Sequence, residues 1–149
     1  MAVASIVRWR VGQSVPQFKE VCAALIQKNG RFLIAKRRPD DRFGGLWEFP
    51  GGTRETGESR KACVRREMKE ELGIEVEVGK ELSAFEDEIP TLKICVHLFS
   101  CRIRKGRPRP LDCQAWRWVN LTGLSRLSLA PVDRMIFQWL KKEKVSFSD

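Results

Sequence analysis

Glu67, Glu70 and Glu71 fall within five residues of one another, in a stretch from about Glu58 to Leu72 whose spacing predicts a helix closed by Gly73. At roughly 100° per residue the three carboxylates share an arc of about 100°. Val64, Met68 and Leu72 form the adjoining apolar stripe, and Lys61, Arg65, Arg66 and Lys69 fill the remaining surface. Carboxylates at this spacing repel one another, and an ordinary surface helix interleaves lysine there. Because the acidic edge borders the buried stripe, partial exclusion of water sharpens the repulsion. A hard divalent cation such as magnesium resolves it, taking oxygen ligands and sharing its sphere with substrate phosphates. For the helix taken alone, an acidic face balanced by nearby Arg and Lys is the plain alternative.

The helix has a context. Gly52 is followed after five residues by Glu58, and after seven more by Arg66-Glu67-Met68-Lys69-Glu70-Glu71-Leu72-Gly73-Ile74. This resembles the Nudix box at every fixed position. The resemblance implies an α/β fold, the Nudix-type α/β/α sandwich with a mixed sheet and a loop–helix–loop catalytic motif. It also implies that the Gly51 carbonyl, Glu67, Glu70 and Glu71 bind one or more Mg²⁺, for which Mn²⁺ substitutes. Gly51 and Gly52 would let the backbone approach metal and phosphates. Arg66 would hold Glu67 in place, and Glu58 would open the helix, where its charge suits the dipole. The implied chemistry is attack of a metal-activated water on phosphorus. For the catalytic base, Glu67 and an acidic side chain from a later loop both stand open. Asp112 sits where some relatives place an extra acidic ligand; otherwise it is a plain loop residue.

The flanks extend the likeness over roughly residues 18–142. Leu33-Ile34-Ala35-Lys36-Arg37-Arg38, Gly45-Leu46-Trp47-Glu48-Phe49-Pro50-Gly51-Gly52 and Leu129-Ala130-Pro131-Val132-Asp133 are similar to the MutT-type branch. That branch hydrolyses 8-oxo-dGTP or related triphosphates, and the same motifs occur in small pyrimidine-triphosphate pyrophosphohydrolases. By this resemblance Arg37 contacts phosphates, Phe49 lines the base pocket and Asp133 hydrogen-bonds the base edge, unless Asp133 merely caps a helix. Branch members often carry Asn there, which donates and accepts, whereas an ionised carboxylate only accepts. Two function classes follow. One is a nucleoside triphosphate pyrophosphohydrolase acting on 8-oxo-dGTP or another triphosphate such as CTP. The other is a non-catalytic, DNA-reading module similar to the C-terminal domain of adenine glycosylases that read 8-oxoguanine. The unbroken box favours the enzyme, since a reader needs no three metal-binding glutamates. Because the box is blind to the leaving group, RNA decapping and dinucleoside polyphosphate cleavage stay open.

The elements needed to position these residues are legible in outline. Phe18 to Gln27 and Arg31 to Lys36 read as strands joined by an Asn29-Gly30 hairpin turn. Ile74 to Phe85, Leu92 to Ile103 and Ala115 to Val119 are further strands. Pro131 opens an amphipathic helix whose core stripe is read as Val132, Met135, Ile136, Trp139 and Leu140. Residues 1–16 are weakly patterned.

At 149 residues the chain suits one domain, 1–149. Five cysteines without a CxxC pair point to buried thiols in a reducing compartment. The single histidine, His97, lies in an apolar stretch and is expected to be a satisfied strand residue. A net charge of +9 suits a polyanionic partner, either free nucleotide or nucleic acid, without requiring the latter. Neither a secretory signal nor an apolar run of membrane-spanning length is visible, so a cytoplasmic protein with no membrane partner is expected.

Overall fold

The computed structural model describes residues 17–143. Strand β1 (Gln17–Lys28) returns as β2 (Arg31–Lys36) through Asn29 and Gly30, at φ 52° and 73°. Both turn residues are left-handed, which matches the twist of an antiparallel hairpin. Two two- or three-residue strands follow, β3 (Trp47–Glu48) and β4 (Gly51–Thr53), before helix α1 (Arg60–Leu72). A long hairpin, β5 (Glu75–Ile89) and β6 (Leu92–Lys105), turns at Pro90-Thr91. The described residues end with β7 (Ala115–Val119), a single turn α2 (Leu121–Leu124) and α3 (Pro131–Glu143).

The sheet runs β3-β2-β1-β6-β5, with β4 paired to β1 and β7 to β2. β1 and β6 are parallel from Gln17 opposite Leu92 to Ile26 opposite Cys101, and the other strand pairs are antiparallel. A central strand in a covered sheet is apolar on both faces, and Cys22 to Ile26 are all buried. Cys22, Ala24 and Ile26 meet Cys63, Val64, Met68 and Leu72 of α1. On the other face Ala23 and Leu25 belong to the core that holds Val132, Ile136, Phe137 and Leu140 of α3. The layers are helix, mixed sheet, helix, as expected.

β5 and β6 run on to Ile89 and Lys105, past the expected Phe85 and Ile103, and both long helices differ from expectation in one respect. α1 begins at Arg60: the Ser59 hydroxyl accepts the Ala62 N–H at 3.1 Å and caps it. Glu58 therefore lies outside the helix, and its carboxylate serves Arg66 rather than the dipole. On α3, Met135 is 39% exposed and Phe137 is buried in its place, because the inward stripe is centred on Val132, Ile136 and Leu140. Trp139 packs edge-on to Phe85, ring centroids 5.9 Å apart. Gly73 closes α1 at φ 66°, as the glycine signal implies. All five cysteines are free thiols, four buried and Cys113 half-buried. His97 is a buried β6 residue whose Nδ1 lies 2.8 Å from the Glu81 carboxylate. Among the described residues no helix is long and apolar enough to cross a membrane. The weakly patterned residues 1–16 lie outside the described residues.

Candidate active site

The site is assembled where β4 passes between β1 and α1. Ala23 and Cys22 of β1 pair with Gly51 and Gly52. Both positions exclude a side chain, for different reasons. A Cβ on Gly51 would strike the Cys22 carbonyl and the Ala23 backbone, and one on Gly52 would strike the Glu67 carboxylate. Neither glycine has a left-handed φ. Their role is therefore close approach, of strand to strand at Gly51 and of strand to carboxylate at Gly52.

Arg66 is the hub of the helix's acidic edge. Its guanidinium donates to Glu58 at 2.7 and 3.0 Å, to Glu67 at 2.8 Å, to Glu70 at 3.1 Å and to the Thr53 carbonyl at 3.1 Å. This holds Glu58 down to about 2. Glu70 is exposed and lies outside the cleft lining, whereas Glu67 is half-buried and Glu71 buried, both lining the cleft. The Gly51 backbone N–H lies beside the Glu71 carboxyl and works against a rise in its pKa. The Glu71 backbone carbonyl accepts the N–H groups of Leu111 and Asp112, each at 3.1 Å, which draws the late loop to the rim. Asp112 lines the same cleft, exposed and paired with Arg38 at 3.0 Å.

Sequence reasoning missed one carboxylate. Glu48 is half-buried beneath Arg37, whose Nη1 donates to it at 2.6 Å. Strand alternation between Trp47 and Phe49 reads such a residue as solvent-facing. The available signal was a lone charge inside the apolar run Leu46-Trp47-Glu48-Phe49. Burial pushes Glu48 up to about 7. Burial, then Glu48, then Glu67 raise Glu71 well above the carboxylate range. Glu67 is also raised by burial, with Arg66 working against the rise. Carboxyl groups forced together out of water call for a counter-charge.

Glu67 and Glu70 turn toward Arg66 and Glu71 toward Gly51. As they stand, no three ligating side chains among the described residues converge on one point. The donors nevertheless fit a hard divalent cation: all are oxygens, and they raise one another's proton affinity across a shared cleft.

The cleft encloses about 300 Å³. Gly51, Gly52, Glu67, Glu71 and Arg37 supply its polar lining around β4 and α1. Val21, Ile94 and Val96 of the paired strands β1 and β6 give it an apolar floor, and Phe49 and Pro131–Asp133 at the start of α3 also line it. Arg37 is already engaged, donating to Glu48, to Asp41 at 3.0 Å and to the Arg42 carbonyl at 2.7 Å. Three of its five N–H donors are thus committed to shaping the loop before β3. Asp133 is the third residue of α3 and not its cap. Its carboxyl accepts the Phe49 N–H at 2.8 Å, and burial followed by Glu48 raises it well above the usual range.

Comparison with known proteins gives one consistent result. The NUDIX domain model matches residues 16–140. The chain is 35% identical over 114 residues to the CTP pyrophosphohydrolase of Escherichia coli K12, covering 76% of this chain and 84% of that one. It is 29% identical over 115 residues to the 8-oxo-dGTP diphosphatase of the same organism, covering 77% and 89%. The crystal structure of a MutT NUDIX hydrolase from Burkholderia pseudomallei superposes with a TM-score of 0.75 at 27% identity, covering 82% of this chain and 97% of that one.

Proposed function

This chain belongs to the Nudix hydrolase family, and from that premise we propose that it hydrolyses a nucleoside triphosphate to the monophosphate and pyrophosphate with Mg²⁺. Family members generally use divalent metal ions. The observation that carries the reading is a single cleft. It joins the carboxylates of Glu67 and Glu71 to an apolar lining of Val21, Ile94, Val96 and Phe49 and to Asp133, the polar part suited to phosphates and the apolar part to a flat base. Names of the relatives support CTP and 8-oxo-dGTP as the substrates to try first.

In this reading Glu67, Glu70 and Glu71 and the Gly51 carbonyl hold the metal, and Mn²⁺ substitutes for Mg²⁺. Such an ion supplies charge neutralisation for phosphate oxygens and an activated water. Arg66 keeps Glu67 and Glu70 oriented. Arg37 offers its two uncommitted N–H groups to the phosphates, held in place by Glu48. Glu67 or Asp112 takes the proton of the attacking water. Phe49 covers the base and Asp133 meets its edge.

The products are expected to be a monophosphate and pyrophosphate with one solvent oxygen between them, read by mass spectrometry after reaction in ¹⁸O water. Orthophosphate plus a diphosphate would overturn this bond assignment.

Asp133 makes base preference depend on pH. When protonated, its free edge can donate to a carbonyl; when ionised it only accepts. Cytosine presents an amino group where thymine presents a carbonyl. The kcat/KM ratio of dCTP to dTTP should therefore widen as pH rises through the elevated Asp133 titration, by roughly tenfold. In Asp133→Ala the ratio should lose its pH dependence. A flat ratio in the unaltered protein would remove Asp133 from base reading.

A further inference from the structure

β1 carries a cation into the base end of the cleft. Lys19, Val21 and Ala23 alternate onto the same face of the strand and line the cavity together. Lys19 lies opposite Ile94 in the parallel β1–β6 register, and Val21 opposite Val96. Leu92 completes the apolar surround. Ala23 pairs with Gly51 at the carboxylate end, so Lys19 sits four residues further along, about 13 Å at strand rise. That separates it from the phosphate-binding end. Asp133 lines the same cleft, its carboxyl held by the Phe49 N–H.

Of the arginines lining the cleft, Arg37 is committed to Glu48 and Asp41 and Arg38 to Asp40 and Asp112, while Arg42 belongs to the loop before β3. Lys19 enters none of the side-chain hydrogen bonds or ion pairs among the described residues. Its methylene stem can lie along Ile94 and Val21 while the ammonium stays at the mouth, aimed at the rim of whatever flat group covers the floor.

We propose that Lys19 is a specificity-determining residue that donates from the strand side of the cleft to a carbonyl oxygen of the substrate base. This rests on the nucleotide reading given above. With Lys19 as donor and the ionised form of Asp133 as acceptor, the cleft favours a base carrying both a carbonyl oxygen and an N–H group. Guanine and cytosine satisfy both. Adenine presents an amino group where guanine presents O6, and that amino group would face the ammonium.

The test is equilibrium binding by titration calorimetry of GMP and AMP to the full chain, for the unaltered protein, Lys19→Met and Lys19→Arg. Methionine keeps length and apolar stem while removing the charge. The unaltered protein should prefer GMP, Lys19→Met should lower the GMP-to-AMP affinity ratio at least fivefold, and Lys19→Arg should restore most of it. Equal weakening of both nucleotides would make Lys19 a phosphate contact and overturn the proposal, as would an unchanged ratio. Because binding is read without turnover, the outcome is separable from the hydrolytic reading. A protein that binds GMP through Lys19 but splits no triphosphate would sink only the latter.

Discussion

Glu71→Gln is expected to lose at least a hundredfold in turnover while becoming more heat-stable than the unaltered protein in metal-free buffer. Loss of partners that merely orient a metal ligand costs roughly 10–100-fold, so loss of a proposed ligand should lie at or beyond that bound. The gain in stability comes from the same carboxyl. Glu71 is buried and crowded by Glu48 and Glu67, so its folded pKa lies well above the ordinary carboxylate range. A raised carboxyl binds its proton more tightly in the folded chain. It therefore weakens folding as pH climbs from the unfolded value toward the folded one, by up to about 1.4 kcal/mol per pH unit. Glu48, pushed up to about 7, adds to the loss between roughly pH 4.5 and 7. Glutamine keeps an oxygen for the Gly51 N–H and removes the charge. With chelator present, the melting temperature of the variant should exceed that of the parent, by more at pH 8 than at pH 5. Each kcal/mol is worth roughly 2–4 °C in a chain near this size. Added Mg²⁺ should reverse the order, since a cation that binds only the folded state stabilises the parent in proportion to its affinity. Equal melting curves at both pH values would show that Glu71 is not a strained carboxylate.

The contrast between Glu71 and Glu48 shows what a one-dimensional pattern can carry. Glu67, Glu70 and Glu71 were legible because helical periodicity converts spacing directly into a shared face. Even so, the face alone does not say that Glu70 looks outward to Arg66 while Glu71 is buried. Long strands, the Asn29-Gly30 turn and the Pro131 helix start were legible because each is a local signal. β3 and β4 were not, because strands of two and three residues have no period to detect; they exist through pairing with β2 and β1. Glu48 is hidden for the same reason. Its burial comes from Arg37, eleven residues away, and from the cleft wall, neither of which its neighbours reveal. From the sequence, Asp133 reads as a base contact or a cap. Its bond to the Phe49 N–H, which ties α3 to the approach to β4, depends on a contact across 84 residues.

Gly51 and Gly52 offer the cleanest separation of fold from chemistry, because one methyl group added at adjacent positions meets different neighbours. In Gly51→Ala it meets the Cys22 carbonyl and the Ala23 Cα of the central strand. Backbone in the middle of a paired sheet cannot step aside, and overpacking of this kind costs ~1–3 kcal/mol or more. A fall in melting temperature of roughly 2–12 °C follows, with activity lost in step with folded protein. In Gly52→Ala the new methyl meets the carboxylate of Glu67. That group ends a flexible side chain, and Gly52 has no left-handed φ to forbid alanine. The helix stays in place and Glu67 swings away from β4. The melting temperature should therefore stay within about 2–3 °C of the parent, within the ~1 kcal/mol scale of tolerated core changes. Turnover should drop by roughly 10–100-fold, the scale seen when a ligand's position is disturbed. Circular dichroism melts and initial rates on the same preparations decide it. If Gly52→Ala keeps near-parental turnover, the Glu67 carboxylate does not act from its seat over Gly52, and its proposed share in metal binding fails with it.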